Sequence, residues 1–127
     1  MDVGVMDKIE IHELCARSYL SVDHGDAWGF ARKFTEDGVF IFQQKEYAGP
    51  EEICKFLEKY VVYERGYDDR HLITNHIVEP HLVGARSRFH VAKVNSSGDY
   101  TNIMVASAEC LIRKNHDGWY FVRFKLI

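Results

Sequence analysis

Apolar residues recur at helical spacing through the first part of the chain and at a period near two through the second half. From Asp7 to Asp23 the stripe Ile11, Cys15, Ser18 and Val22 lies on one helical face, with Asp7, Glu10, Glu13 and Arg17 off it, which predicts an amphipathic first helix. Gly25 is placed as its left-handed terminator. Asp26 is placed as the N-cap of a short second helix running through Trp28, Phe30, Ala31 and Phe34. Thr35-Glu36-Asp37-Gly38 then reads as a turn, and Val39 to Phe42 as a strand paired in a hairpin with Lys45-Glu46-Tyr47. Gly49-Pro50-Glu51-Glu52 opens a third helix, because proline suits the first turn and the carboxylates complement the positive end of the dipole. Its apolar side is Ile53, Phe56, Leu57, Tyr60 and Val61.

After the polar break Arg65 to Arg70, strands are expected over His71 to Glu79, Val83 to Val94, Tyr100 to Arg113 and Trp119 to Ile127, with turns at Asn95 to Gly98 and Asn115 to Gly118. Helices first and strands afterwards indicate an α+β domain. Ala85, Ser87, Phe89 and Val91 form the inward set, which puts His90, sharing parity with Arg86 and Arg88, outside or at an interface. In the last strand Tyr120, Val122, Phe124 and Leu126 form one apolar face. Trp119, Phe121, Arg123 and Lys125 form the other, and their apolar members suggest burial against a second copy of the chain, hence a dimer or trimer. Strict alternation sends His71 and His76 to opposite faces, and His76 and His81 likewise, so no metal cluster is expected. A curved antiparallel sheet with three N-terminal-half helices across it makes a cone-shaped α+β barrel that encloses a pocket.

At 127 residues there is room for one domain, 1–127, and 46% hydrophobic with 13% aromatic residues suffices for a core. The net charge of -3 arises from 16 basic and 19 acidic residues that are interspersed, which argues against nucleic acid as a partner. No stretch has the length of a membrane span and the N-terminus lacks the pattern of a secretory signal, so a cytoplasmic protein is expected. The three cysteines, Cys15, Cys54 and Cys110, fit reduced and mostly buried thiols, and Asn95-Ser96-Ser97 is read as a turn. The sequence has no glycine-rich phosphate loop, no nucleophile elbow and no Cys-His pairing of recognisable spacing, so nucleotide-dependent chemistry and covalent hydrolysis have no support.

Six segments in order resemble the SnoaL-like family of the nuclear transport factor 2-like superfamily: Val22 to Asp26, Phe34 to Phe40, Gly49 to Ile53, Arg70 to Asn75, Val83 to Val91, and Asp117 to Tyr120. The resemblance covers nearly the whole chain. It implies comparison with scytalone dehydratase, lindane dehydrochlorinase and bile acid 7α-dehydratase, which eliminate water or HCl without a metal or organic cofactor. In those enzymes a histidine at the start of a sheet strand is the base and an aspartate at the end of the first helix orients it; the matching positions here are His71 and Asp23. A tyrosine or lysine stands five residues before that aspartate in those enzymes, and here that slot is Ser18.

The chemistry fits these residue types. Proton removal from an activated carbon needs a base that titrates near neutrality, and a carboxylate on the other ring nitrogen fixes the tautomer and stabilises the imidazolium. Asp23 in the last turn of a helix also opposes the dipole, at about 0.3 to 1 kcal/mol, unless a partner compensates. The other reading of Asp23-His24-Gly25-Asp26 is a plain Asx-type turn. Tyr19, one helical turn before Asp23, and Phe40, Phe42 and Phe89 are expected to shape a site for a small hydrophobic or cyclic molecule. The resemblance thus implies a cofactor-independent lyase or isomerase. A non-catalytic binding or assembly module, like a dioxygenase small subunit, is the alternative.

Overall fold

The computed structural model describes residues 2–63, 69–97 and 100–127. In chain order these form α1 (Val5–Asp23), α2 (Ala27–Ala31), β1 (Phe34–Phe42), β2 (Lys45–Ala48), α3 (Pro50–Tyr63), β3 (Arg70–His81), β4 (Gly84–Ser97), β5 (Tyr100–Asn115) and β6 (Gly118–Leu126). The side chain of Val61, residues 65–68 of the polar break, and Gly98 of the hairpin loop lie outside the described residues. The α+β class and the three N-terminal-half helices are as expected. The sheet order is β2-β1-β6-β5-β4-β3, a curved sheet that does not close on itself. One ladder, β1 with β6, is parallel, which makes the sheet mixed where a purely antiparallel one was expected.

The stripe of α1 is buried as its spacing predicted, with Ile11, Cys15 and Ser18 fully enclosed. The helix stops because Gly25 adopts a φ of 75° and donates its N–H to Val22 O at 3.0 Å, while Asp26 N–H reaches Ser21 O at 2.8 Å. Asp26 then accepts the Gly29 N–H at 2.9 Å and caps α2, which ends before Phe34. Phe34 belongs to β1. The expected turn at Thr35 to Gly38 is an irregularity inside that strand, where the register to β6 shifts and a Cβ on Gly38 would lie 2.9 Å from Phe121 O.

Two bulges overturn the simple parity of the later strands. In β3, Thr74 pairs with His90 but Ile77 pairs with Arg88, so one extra residue is accommodated at Asn75, whose φ is 56°. The extra residue returns the following side chains to the inner face, and His76 lies on the same side as His71, not the opposite one. In β6, Ile112 pairs with Phe121 and Leu111 with Arg123, leaving Val122 unpaired. Phe121 and Phe124 are therefore both fully buried, and Trp119, expected outside, packs on the core. The premise that β6 offers a second apolar face to another copy is thereby removed. Arg123 is exposed, and so is His90, while Ala85, Ser87, Phe89 and Val91 are buried as expected. The Asn95-Ser96-Ser97 turn is instead the end of β4.

Phe124 is the centre of the core. Its ring lies 5.0 Å from that of Phe121, 5.6 Å from Phe40 and 5.7 Å from Phe30, in edge-on or tilted contacts worth about 0.5 to 1.5 kcal/mol each beyond area burial.

The bulge depends on a left-handed backbone that asparagine tolerates and a β-branched residue resists. Asn75→Val is expected to lower unfolding free energy by about 1 to 2 kcal/mol in urea denaturation, with Asn75→Gly close to wild type; equal stability of the two variants would contradict the role given to Asn75.

Candidate active site

The end of α1 and the start of β3 converge. His71 Nδ1 lies 2.6 Å from Asp23 Oδ1, and the His71 backbone N–H donates to Asp23 Oδ2 at 3.2 Å. The two side chains are only 9% and 6% exposed. A carboxylate oxygen can only accept, so Nδ1 carries a proton, and in the neutral ring Nε2 carries the lone pair. Asp23 thus finds the compensating partner its position at the negative end of a helix demands. The turn reading of Asp23 is not what the structure shows, although Asp26 does cap as that reading supposed.

His71 lines a cavity of about 420 Å³. Its walls are mostly apolar: Val22, Phe30, Phe40, Phe42, Phe56 and Leu57 enclose it from the helices and β1, and Val91, Ala106 and Leu126 from the sheet. Tyr19 lines it too, with its ring 5.0 Å from the imidazole of His71. Burial pushes the Tyr19 hydroxyl well above the ordinary tyrosine range, and that hydroxyl has no hydrogen-bond partner among the described residues. Such a group loses hydrogen bonding on folding unless a ligand oxygen or water restores it. Of the residues expected in the wall, Tyr19, Phe40 and Phe42 are there. Phe89 is not: it is buried behind the wall, 6.3 Å edge-on to Tyr19. Ser18 is fully buried and donates its hydroxyl to Leu14 O at 2.7 Å, so it presents nothing to the cavity.

Sequence reasoning missed Phe56 and Tyr60 as wall residues and also Lys93, which lines the cavity. The signal for Lys93 was available, since it shares strand parity with Phe89 and Val91. The two phenyl and phenol rings were placed on the inner side of the third helix but not joined to the pocket.

A second polar cluster lies toward the other end of α1. The rings of His12 and His76 stack at 4.0 Å, and His76 Nε2 is hydrogen-bonded to Ser87 Oγ, which lies 4.0 Å from Cys15 Sγ. All three cysteines are free thiols, Cys15 and Cys110 buried and Cys54 half-buried. Burial would raise the Cys15 thiol, but hydrogen bonds from Cys110, His76 and Ser87 bring it down to about 6, while burial pushes Cys110 up. No group of three or more metal-ligating side chains occurs among the described residues.

The chain belongs to the SnoaL-like domain family, whose model matches residues 5–125. No curated protein matches it. Among solved structures it is similar to a cystatin-like-fold protein of unknown function from Nostoc punctiforme, at 25% identity and a TM-score of 0.85, covering 99% of this chain and 93% of that one. It is also similar to a Novosphingobium aromaticivorans protein provisionally named scytalone dehydratase, at 19% identity and a TM-score of 0.79, covering 96% and 83%. A Catenulispora acidiphila protein in complex with S-DNPA matches at 21% identity with a TM-score of 0.78, covering 93% and 91%. No helix among the described residues is long and apolar enough to cross a membrane.

Burial, then the nearby charges of His76 and Lys8, hold His12 below the ordinary histidine range. A histidine whose folded pKa is depressed binds protons more readily when unfolded, so its contribution is present above the unfolded pKa and lost as pH falls through the folded one. Thermal unfolding at pH values from about 7.5 down to about 5.5 should show the melting temperature falling. The fall should be smaller in His12→Phe, which keeps the stack and removes the titration; because the ring is largely exposed the difference will be modest, and an identical fall would refute the assignment.

Proposed function

We propose that the chain is a cofactor-independent lyase or isomerase acting on a mostly apolar cyclic small molecule, with His71 as general base and Asp23 as its positioning partner. The observation that carries this is the 2.6 Å Nδ1–Oδ1 contact of a nearly buried pair whose histidine lines a mostly apolar cavity. Nε2 takes a proton from an activated carbon, and the carboxylate, removed from water, stabilises the imidazolium without reorganising. His71 can then return the proton to another carbon or hand it to a departing hydroxide. Tyr19, Phe40 and Phe42 orient the ligand. The binding of S-DNPA by the Catenulispora relative and the dehydratase name of the Novosphingobium one agree with this reading.

A self-associating dimer or trimer belongs to the same reading, on a different surface from the one the sequence indicated. Leu72, Ile77 and Ile103 are all more than half exposed on the outer face of β3 and β5. Leu72→Asp combined with Ile103→Asp should shift the sedimentation coefficient to that of a monomer, and a wild-type protein that already sediments as a monomer removes this part of the proposal.

A surrogate reaction isolates the base. In the ring opening of 5-nitrobenzisoxazole a base removes the ring C–H proton, the N–O bond breaks, and a coloured cyanonitrophenolate forms. Wild-type protein should exceed an equal concentration of free imidazole, and His71→Ala should lose about 10² or more of that rate with the ligand still bound. Asp23→Asn, which still accepts the Nδ1–H but carries no charge, should lower kcat more than it changes KM. Undiminished turnover in His71→Ala sinks the proposal. A wild-type protein that binds 2-naphthol in the cavity yet gives no acceleration would replace it with the non-catalytic binding module.

A further inference from the structure

The row of residues directly across the sheet from His71 contains a cation that the base mechanism leaves unused. His71 pairs with Lys93 in the β3–β4 ladder, and Lys93 pairs with Met104 in the β4–β5 ladder; all three line the cavity. Directly opposed residues of an antiparallel pair project to the same side with Cβ atoms about 4.5 to 5.5 Å apart, so the lysine stem starts beside the imidazole. Among the described residues Lys93 has no hydrogen-bond or ion-pair partner, unlike Arg86 with Glu109, Arg88 with Glu79 and Lys114 with Asp7. The described residues lining the cavity include no carboxylate side chain, and Asp23, bonded to the ring Nδ1, is not among them. An ammonium on the wall of a mostly apolar hollow raises the potential inside it, and its natural complement is a negative oxygen on the ligand.

We infer that Lys93 binds the oxygen on which negative charge collects when His71 removes a proton, and that the substrate is a cyclic ketone presenting that oxygen beside the acidic C–H. This rests on His71 being the base. In such a step the C–H bond breaks, its electron pair forms a C=C bond, and the carbonyl π pair moves onto oxygen as an enolate held by the Lys93 ammonium. Collapse of the enolate reforms the carbonyl, with the proton on His71 passing to the γ-carbon where the ketone carries a β,γ double bond, or leaving with a β-hydroxyl as water. The orphaned Tyr19 hydroxyl supplies a neutral donor to the same region. Lys93 and His71 face the same cavity from neighbouring strands, so a ligand there can be addressed by both at once.

The test compares an anion with a neutral compound of similar shape: 4-nitrophenolate and 4-nitroanisole, with Kd measured by titration calorimetry at a pH where the phenol is ionised. Wild-type protein should prefer the phenolate. Lys93→Met should erase that preference by a factor on the order of ten to a hundred, leaving the anisole affinity unchanged, and Lys93→Arg should restore most of it. Lys93→Gln serves the same purpose if the methionine variant does not fold. Equal binding of the two compounds by wild type, no binding of either, or an unchanged preference in Lys93→Met each overturns the assignment. His71→Ala should keep the phenolate preference while losing the ring-opening rate, so failure of the base and failure of the cation appear in different measurements.

Discussion

The carboxylate of Asp23 ends a nineteen-residue helix at the pole where a negative charge is least welcome, and it is almost removed from water there. It is tolerated because one residue, His71, answers both of its oxygens, one with a ring N–H and the other with a backbone N–H. A single side-chain contact could rotate; a contact made through backbone and ring together fixes where the last turn of α1 meets the first residues of β3. The tautomer of the histidine, the depth of the cavity and the face of the imidazole turned toward it all follow from that junction. Removing either partner leaves a buried polar group unsatisfied, which is costlier than the bond is favourable.

Near the middle of α1, His12 rests on His76, so the helix is fastened to β3 at two points eleven residues apart along its length. Both attachments reach the same face of one strand only because Asn75 absorbs an extra residue. The second bulge, at Val122, does the equivalent for the core by turning Phe121 and Phe124 inward together. Phe124 then packs against the rings of Tyr19 and Phe89 as well as those beneath α2. The wall of the cavity is therefore supported from behind by close-packed aromatic rings, which keep Tyr19 and His71 in place.

Most elements were legible in the sequence because each carried its own local signal: the stripe of α1, the Gly25-Asp26 punctuation, Pro50 at the start of α3, and the small inward set of β4. The bulges were not, since an added residue leaves alternation intact on either side and only its phase changes; His76, Trp119 and Phe121 were misplaced for that one reason. The turn expected at Thr35 to Gly38 failed similarly, as glycine there serves a close backbone approach within β1. The pairing of Asp23 with His71 came from resemblance to a family, for nothing in the spacing of two residues so far apart specifies contact. Lys93 was in phase with the inner face, but a charge in that set was not weighed as a ligand-binding group.

The fate of Ser18 bears on the kind of reaction the cavity can support. Its hydroxyl is committed to the helix backbone, so the acid or cation that related dehydratases carry at that slot is missing. Under the proposed reading, two groups remain beside the base: an un-ionised phenol at Tyr19 and the ammonium of Lys93. Neither is needed as a proton carrier if His71 itself delivers the proton it has taken. A single imidazole that is held rigidly by Asp23 can reach only one face of a bound ring, so removal and return of the proton must occur on that same face. On the proposed reading the cavity therefore suits suprafacial proton shifts and syn eliminations, and suits poorly any reaction that requires acid and base on opposite sides of the substrate.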